Sequence, residues 1–474
     1  MKPFAYNRRP EMNDLIFKYE MYAPSGHFPG FEAEDFLTVF QFYTTALFRD
    51  EAQTALENGL RSFPDSPKLH ARLALYYINN KKEELAPGAI DAARICGYHW
   101  FETEILEIQS LAAKKKYQEA LLEINELKKR DKLSTGQINQ LLLEESKIAR
   151  KAEDYERALR SLELILRTEP NHIEALEQSY RLFEECRDFE LSMEVHIALT
   201  NADPYSYMAW YNLGHAYYGM FEYQKAIEAF EYCFLIKEDF APAYLDCAEV
   251  CIQIKRYRQA LICYRDLFKH MEPNAEVLKN VGICYQQLDK LEEAKKFYCR
   301  SLTYNAKNEE VFFNLGKCYV TEFNLRMAAR FFLKAWTLDK KRSDFVEALA
   351  TTYFKLGKHS KVWPLMEKVI SLDPEQEYSW ILYARFLTLT GRFDEALELL
   401  NESEDHIQTE DVHFCRAACF YLLGKKEEAF DQLASGLEED LEGMNLFFEM
   451  VPHVKHEKKV RDILNYFYPS QKVA

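Results

Sequence analysis

Residues 207–234 read YMAWYNLGHAYYGMFEYQKAIEAFEYCF, which is the pattern of two short helices joined by a turn. The first half places four residues at i, i+3, i+4 and i+7, one face of an α-helix, namely Trp210, Leu213, Gly214 and Tyr217. The second half lines another helical face with Ala226, Ile227, Phe230 and Phe234. Gly214 and Ala226 lack bulk, so the two helices can approach closely there. The stretch predicts one helix–turn–helix unit that must stack on neighbours to bury its apolar stripe.

The same pattern returns every 34 residues. One series is always bulky and apolar: Trp210, Tyr244, Leu278, Phe312, Val346, Trp380 and Phe414. A second series is always small: Gly214, Ala248, Gly282, Gly316, Ala350, Ala384 and Ala418. Alanine keeps the period from Ala52 to Ala120 and again, in steps of 34 or 68, from Ala158 to Ala396. The step from Ala120 to Ala158 is 38, which predicts an insertion of four residues in the polar segment 130–136.

The order and spacing of Trp210, Leu213, Gly214, Tyr217, Ala226 and Phe230 resemble the signature of the tetratricopeptide repeat family, in its bacterial multi-repeat form. The resemblance is strongest in the blocks that begin near 207, 275, 309 and 377. It implies an all-α, right-handed α-solenoid superhelix of about twelve 34-residue units over 33–443, with the insertion near 131–136. Residues 1–32 are predicted to form an N-terminal capping segment and residues 444–474 a degenerate final repeat with capping helices, because the exposed ends of a repeat array must be covered. The alternative for the C-terminal segment is a helix that docks a partner.

Two local features accompany this prediction. A short helical stripe near the N-terminus is predicted to cover the first repeat, with Met12, Leu15, Ile16 and Tyr19. Pro364 falls within a predicted second helix, and we expect it to occupy the first turn, where a backbone amide is not needed.

Charge and cysteine content bear on the compartment and the partners. The start of the chain has no apolar run after its basic residues and no stretch approaches 18 apolar residues, so neither a signal peptide nor a membrane partner is predicted. Eleven cysteines, five of them on core-facing positions, favour a reducing cytoplasm. The net charge of −16 argues against nucleic acid as a partner, because helical repeats bind it through a basic face. Residues 394–442 are the most acidic stretch, which we interpret as a solvated face.

The sequence contains none of the common catalytic motifs. Phosphate-binding glycine loops, the H-E-x-x-H zinc motif and the G-x-S-x-G nucleophile motif are absent. His413, Cys415 and Cys419 form the nearest approach to a metal-ligand cluster, but three ligands without a second pair do not indicate a metal. No cofactor and no enzymatic activity are predicted.

Function is therefore assigned to the face of the first helices that points away from the core. In the family that this chain resembles, the first helices line the concave side of the superhelix. The residues predicted to bind protein or peptide segments there are Tyr211, Asn212, His215, Tyr218, Glu249, Lys279, Asn280, Phe313, Asn314, Lys317, Phe354 and Arg385. We predict a non-enzymatic scaffold or adaptor. The alternatives are a peptide-sensing regulator and a self-associating structural protein.

One special binding mode of the family is excluded by the sequence. Some tetratricopeptide domains bind a C-terminal carboxylate with Lys, Asn, Asn, Lys and Arg. The best-placed positions here hold Lys279, Ile283, Asn314, Asp344 and Ala348. Only two of these match, and Asp344 has the wrong charge.

Overall fold

The computed structural model describes residues 10–130, 133–439 and 443–467, with side chains except at 10–13 and 439. The predicted basic start of the chain, the side chain of Met12, residues 131–132 of the insertion, and residues 440–442 and 468–474 lie outside the described part. Within it, all regular elements are helices. The chain divides into two compact units, Met1–Val250 and Cys251–Ala474, and the division falls inside one helix.

The helices of the first unit are short, mostly 13 or 14 residues long. In chain order they are α1 (Pro10–Tyr22), α2 (Ala33–Thr45), α3 (Arg49–Ser62), α4 (Pro67–Asn79), α5 (Ala86–Ile95), α6 (Trp100–Ala113), α7 (Tyr117–Lys128), α8 (Thr135–Lys151), α9 (Tyr155–Thr168), α10 (Ile173–Cys186), α11 (Phe189–Ala202), α12 (Tyr207–Gly219), α13 (Tyr223–Ile236) and α14 (Ala241–Gln253), whose last residues belong to the second unit.

The second unit continues the same alternation. Its helices are α15 (Tyr257–Leu267), α16 (Ala275–Gln287), α17 (Leu291–Tyr304), α18 (Glu309–Thr321), α19 (Leu325–Leu338), α20 (Ser343–Lys355), α21 (His359–Leu372), α22 (Glu377–Leu389), α23 (Phe393–Ser403), α24 (Asp411–Leu422), α25 (Lys426–Glu439), α26 (Met444–Met450) and α27 (Lys458–Phe467), with a 3₁₀ turn at Pro452–His456.

From α2 to α25, the even-numbered helices are the first and the odd-numbered helices the second members of twelve successive pairs. One residue with a left-handed backbone reverses the chain inside each pair, at Leu47, Lys81, Lys115, Glu153, Arg187, Phe221, Lys255, Asp289, Phe323, Gly357, Gly391 and Gly424. These positions follow the 34-residue period, except for the four-residue slip before Glu153 and a final step of 33 from Gly391 to Gly424. A left-handed residue ends a helix without an unpaired carbonyl, so the same turn can be built in every repeat.

Helices within a pair approach most closely at the small positions of the sequence pattern. A Cβ atom added to Gly214 would lie 2.5 Å from the ring of Phe230, and one added to Gly316 would lie 2.4 Å from the ring of Phe332. The periodic alanines are all buried, with at most 1% of their surface exposed: Ala52, Ala86, Ala120, Ala158, Ala226, Ala260, Ala294, Ala328 and Ala396. The predicted all-α repeat of stacked helix pairs is therefore confirmed within each unit.

We expect Gly316→Ala to destabilise the second unit by about 1–2 kcal/mol. The added methyl group would lie too close to the Phe332 ring, and the free-energy cost of this overpacking exceeds the gain in helix propensity. Urea unfolding followed by circular dichroism measures the change. Gly136→Ala is the control, since the nearest atom to its added Cβ is Ser134 Oγ at 4.0 Å. Equal midpoints for the two variants would contradict the close approach of α18 and α19.

The prediction for Pro364 is wrong. The helix α21 begins at His359, so Pro364 lies in its second turn and interrupts the backbone hydrogen bonds there. The residue is exposed, so its ring reaches solvent while Val362 and Leu365 on either side remain buried. The repeat pattern placed the second helix correctly, but it did not give the residue at which this helix begins.

Aromatic residues pack against both ends of the described repeats. Tyr19 on α1 and Phe28 in the following turn contact Phe36 on α2 through their rings, with centroids 6.2 and 5.0 Å away. At the other end, Phe447 and Val460 are fully buried in a cluster that includes Phe430 on α25. Both terminal segments thus bury apolar surface on the neighbouring pair.

Candidate functional site

Three consecutive first helices of the first unit, α10, α12 and α14, contribute side chains to one continuous surface. The hydroxyl of Tyr211 on α12 donates a hydrogen bond to Oδ2 of Asp246 on α14, at 2.6 Å. The imidazole Nε2 of His215 lies 3.1 Å from the same carboxylate oxygen. Tyr180 on α10 completes the group, and we call these four residues the Tyr211 cluster.

The rings of the Tyr211 cluster contact one another. The centroids of Tyr180 and His215 are 4.7 Å apart, as are those of Tyr211 and His215, and Tyr180 and Tyr211 are 6.0 Å apart. Burial, with a contribution from Glu184 and Asp246, raises the pKa of Tyr180 to about 12. Burial and Asp246 likewise raise the pKa of Tyr211. Both phenols therefore remain protonated at neutral pH and can act as hydrogen-bond donors.

Tyr218 and Glu249 extend this surface to solvent. They belong to α12 and α14, one turn beyond His215 and Asp246 respectively, as expected for side chains on one helix face. Tyr218 is 38% exposed and its ring lies 5.8 Å from that of Tyr223. Burial and the carboxylate of Glu249 raise the pKa of Tyr218.

Asn212 does not lie on this surface, in contrast to its predicted role. Only 1% of its surface is exposed, and its amide nitrogen donates to the carbonyl oxygen of Leu176 at 2.9 Å and lies 3.1 Å from Nε2 of His196. One step along a helix rotates the side chain by about 100°, so the residue after Tyr211 points toward the preceding helix pair. Through these two contacts Asn212 links α12 to α10 and α11.

The remaining seven predicted residues lie in the second unit, where charged groups are already paired. The ammonium of Lys279 is 2.7 Å from carboxylate oxygens of both Glu276 and Glu310. Burial disfavours the charged form of Lys279 and so lowers its pKa. The carboxylates of Glu276 and Glu310 outweigh this effect, and the pKa of Lys279 is raised. Asn280 and Asn314 are half-buried on the same first helices.

Aromatic residues form two further contacts between first helices of the second unit. The ring of Phe313 lies 4.7 Å from Phe345 and carries the ammonium of Lys317 at 4.3 Å. Phe354 stacks on Phe386 with a centroid distance of 4.0 Å. Arg385 donates to Glu449 on α26 at 2.8 Å, which ties the last repeats to the C-terminal segment.

Tyr180 and Asp246 were not among the predicted residues. Tyr180 occupies the position of the small series, 34 residues before Gly214, and a bulky side chain there departs from the pattern. That departure from the pattern could have identified Tyr180 as a site residue. The sequence contains no such signal for Asp246, because carboxylates are common on exposed helix faces.

The described residues contain no group of three or more His, Cys, Asp or Glu side chains that could hold a metal ion. Cys415 and Cys419 are fully buried, and burial raises the pKa of both thiols. His413 instead lies 3.0 Å from Oε1 of Gln432. Among the same residues, no helix has the length and apolar character needed to cross a membrane.

Comparison with known proteins agrees with the helix-pair architecture. The model of the tetratricopeptide repeat family matches residues 209–240 and 275–308, and the model of subunit 3 of the anaphase-promoting complex (cyclosome) matches residues 363–435. No curated protein matches the sequence.

Several solved structures align with part of the chain. A tetratricopeptide repeat protein from Parabacteroides merdae is 16% identical and covers 52% of this chain and 98% of its own, with a TM-score of 0.40. YrrB, described as a tetratricopeptide protein with an unusual peptide-binding site, is 17% identical and covers 40% of this chain and 96% of its own, with a TM-score of 0.34. The type IV pilus biogenesis factor PilW is 18% identical and covers 42% of this chain and 93% of its own, with a TM-score of 0.37.

The family matches fall on the helix pairs whose side chains define the repeat. The first begins one residue before Trp210 and the second begins at the first residue of α16. Helix pairs of the same length and turn conformation extend the pattern on both sides of these matches. The chain is a tetratricopeptide repeat protein.

Proposed function

We propose that the protein is a non-enzymatic scaffold or adaptor that binds segments of other proteins along the exposed faces of its first helices. The Tyr211 cluster is the observation that carries this proposal. It joins side chains of three consecutive first helices into one surface, which a single helix pair could not provide. An extended segment lying across these helices would meet aromatic rings for apolar contact and hydroxyl and carboxylate groups for hydrogen bonds.

The same proposal assigns a structural role to the ends of the chain. The segment from α1 to Phe31 and the helices α26 and α27 cover the outer faces of the first and last pairs, as capping segments of repeat arrays do. All eleven cysteines are free thiols, which favours a reducing compartment such as the cytoplasm.

Site-specific photo-cross-linking tests the proposal. We expect benzoyl-phenylalanine at Tyr218, on first helix α12, to cross-link to other proteins in an extract of the source cell. The same group at Tyr232, on second helix α13 of the same repeat, is expected to give few or no products. Tyr232 is 52% exposed against 38% for Tyr218, so exposure alone favours the control position. Equal yields at both positions would contradict binding along the first helices.

A further inference from the structure

The helix pair α10 and α11 departs from the repeat pattern at three positions that lie between the two helices of a pair. In the next pair, α12 and α13, these positions hold a glycine, an alanine and an aromatic ring, namely Gly214, Ala226 and Phe230. One period earlier they hold Tyr180, Ser192 and His196. A Cβ atom at position 214 would already lie 2.5 Å from the Phe230 ring, so helices packed as α12 and α13 are leave no room for a tyrosine there.

The backbones of α10 and α11 are accordingly less closely packed. They approach each other closely at far fewer positions than those of α8 and α9 or of α12 and α13. Helix α11 packs instead on α12, where a Cβ atom added to Gly219 would lie 2.4 Å from the ring of Phe189. The ring of Tyr180 lies against Tyr211 and His215 on the surface of the first helices. The space between α10 and α11 is therefore filled differently from that in the adjoining pairs.

Polar side chains occupy this space, and we call them the α10–α11 seam. The seam consists of Ser179, Ser192 and His196, each at most 4% exposed. The imidazole Nε2 lies 3.4 Å from Ser179 Oγ, and Nδ1 lies 3.3 Å from Ser192 Oγ. Asn212, which contacts His196, and Gln178, next to Ser179 in the chain, each have a buried polar atom without a hydrogen-bond partner among the described residues. Opening the seam lets these groups bind water, and it exposes less apolar surface than opening a pair built on glycine and an aromatic ring.

We propose that α10 and α11 separate locally and reversibly at the α10–α11 seam in the folded protein, and that this opening withdraws Tyr180 from the Tyr211 cluster. Helix α10 then stays with α8 and α9, on which it packs, while α11 stays with α12. The surface of the first helices thus has a joined form, with Tyr180 against His215, and an open form in which α10 and α12 are apart. This inference goes beyond the proposed function, because it concerns the protein without a partner, and its failure would leave that function untouched.

Hydrogen exchange of the unmodified protein at pH 7 tests the opening. After correction for intrinsic rates, we expect the amides inside α10 and α11 to exchange at least about tenfold faster than those inside α12 and α13. The two pairs are neighbours in the same unit, so unfolding of the whole unit would expose both equally. Equal protection of the two pairs would overturn the proposal.

A thiol placed in the seam provides a second measurement. Ser179→Cys exchanges an oxygen for a sulfur atom at a position that is 1% exposed. The native thiol of Cys233 on α13 has no exposed surface and is the matched reference in the same molecule. We expect iodoacetamide, followed by peptide mass spectrometry, to label position 179 at least about tenfold faster than Cys233. Equal labelling rates at the two positions would contradict a selective opening of the seam.

The variant His215→Leu in the Ser179→Cys background tests the link to the Tyr211 cluster. It removes the ring contact of 4.7 Å between Tyr180 and His215, which joins α10 to α12. We expect labelling at position 179 to rise about threefold, as for the loss of one aromatic contact, while Cys233 keeps its rate. An unchanged rate at position 179, or an equal rise at both positions, would refute the coupling between the opening and the Tyr211 cluster.

Discussion

Replacing Glu145 with glutamine is expected to lower the free energy of opening of helices α8 and α9 by about 2–4 kcal/mol. The Glu145 side chain is 7% exposed, and cationic side chains of two neighbouring helices pair with its carboxylate. It pairs with Lys128 on α7, and one of its oxygens lies 2.6 Å from Arg157 Nη2 on α9. Ser161 donates to the other oxygen at 2.9 Å. Glutamine preserves the volume of the side chain but leaves two cations without their common counter-charge.

The pKa of Glu145 gives the expected pH dependence. Burial is the largest single influence and raises this pKa, but the hydrogen bonds from Lys128, Arg157 and Ser161 together outweigh it, so the pKa is lowered. The carboxylate thus contributes stability that is fully present above the pKa of an unfolded glutamate and is lost as the pH falls below it. The difference between the unmodified protein and Glu145→Gln is therefore expected to shrink below about pH 4.3.

Hydrogen exchange of amides in α8 and α9 at pH 7 measures the opening free energy locally, which suits a chain whose repeats can open separately. Glu126→Gln is the matched control, since Glu126 pairs with Lys129 at 2.6 Å with more than half of both side chains exposed. It should change the exchange by no more than about 0.5 kcal/mol. A similar small effect for Glu145→Gln would show that the buried pair contributes little.

The second large effect is a loss of about 3 kcal/mol of stability as the pH falls from 6.5 to 4, caused by His196. The imidazole has no exposed surface, and burial lowers its pKa to about 4. Its Nδ1 donates to the carbonyl oxygen of Ser192 at 2.7 Å, and its Nε2 lies 3.1 Å from the amide nitrogen of Asn212. The folded protein thus holds a neutral imidazole, with Nε2 as the acceptor.

The direction of this pH dependence follows from the number of protons that the folded and unfolded states bind. Below pH 6.5 an unfolded histidine binds a proton and the folded His196 does not, so unfolding takes up a proton and becomes easier by about 1.4 kcal/mol per pH unit. The effect is complete near pH 4, where the folded imidazole also becomes protonated.

Two measurements check the role of His196. In an NMR titration of the folded protein, one histidine is expected to stay neutral down to about pH 4. Urea unfolding of His196→Gln between pH 6.5 and 4.5 should show a pH slope smaller by one proton, whereas the exposed-residue control His453→Gln should keep the slope of the unmodified protein. An imidazole at position 196 that titrates near pH 6.5 in the folded state would refute the prediction.

The candidate site shows which parts of a surface could be predicted from the sequence. Tyr211, His215, Tyr218 and Glu249 were predicted because one repeat gives the direction of each helix face, and the structure brings them together. The period of 34 could not show that Tyr180 closes the Tyr211 cluster or that Asp246 accepts two hydrogen bonds. Those contacts depend on the rotation of each first helix against the next, which varies with the packed side chains.

The sequence alone determined the unit and its repetition. Bulky and small positions recur at one spacing, and within each unit a helix pair packs mainly on its neighbours in the chain, so local patterns specify most of the core. The tertiary structure decided which polar residues are buried: Asn212 and His196 meet between three helices, and Glu145 lies between two cations from flanking helices. These contacts join residues of different helices. Their geometry follows from how the helices pack and not from the spacing of residues within any single helix.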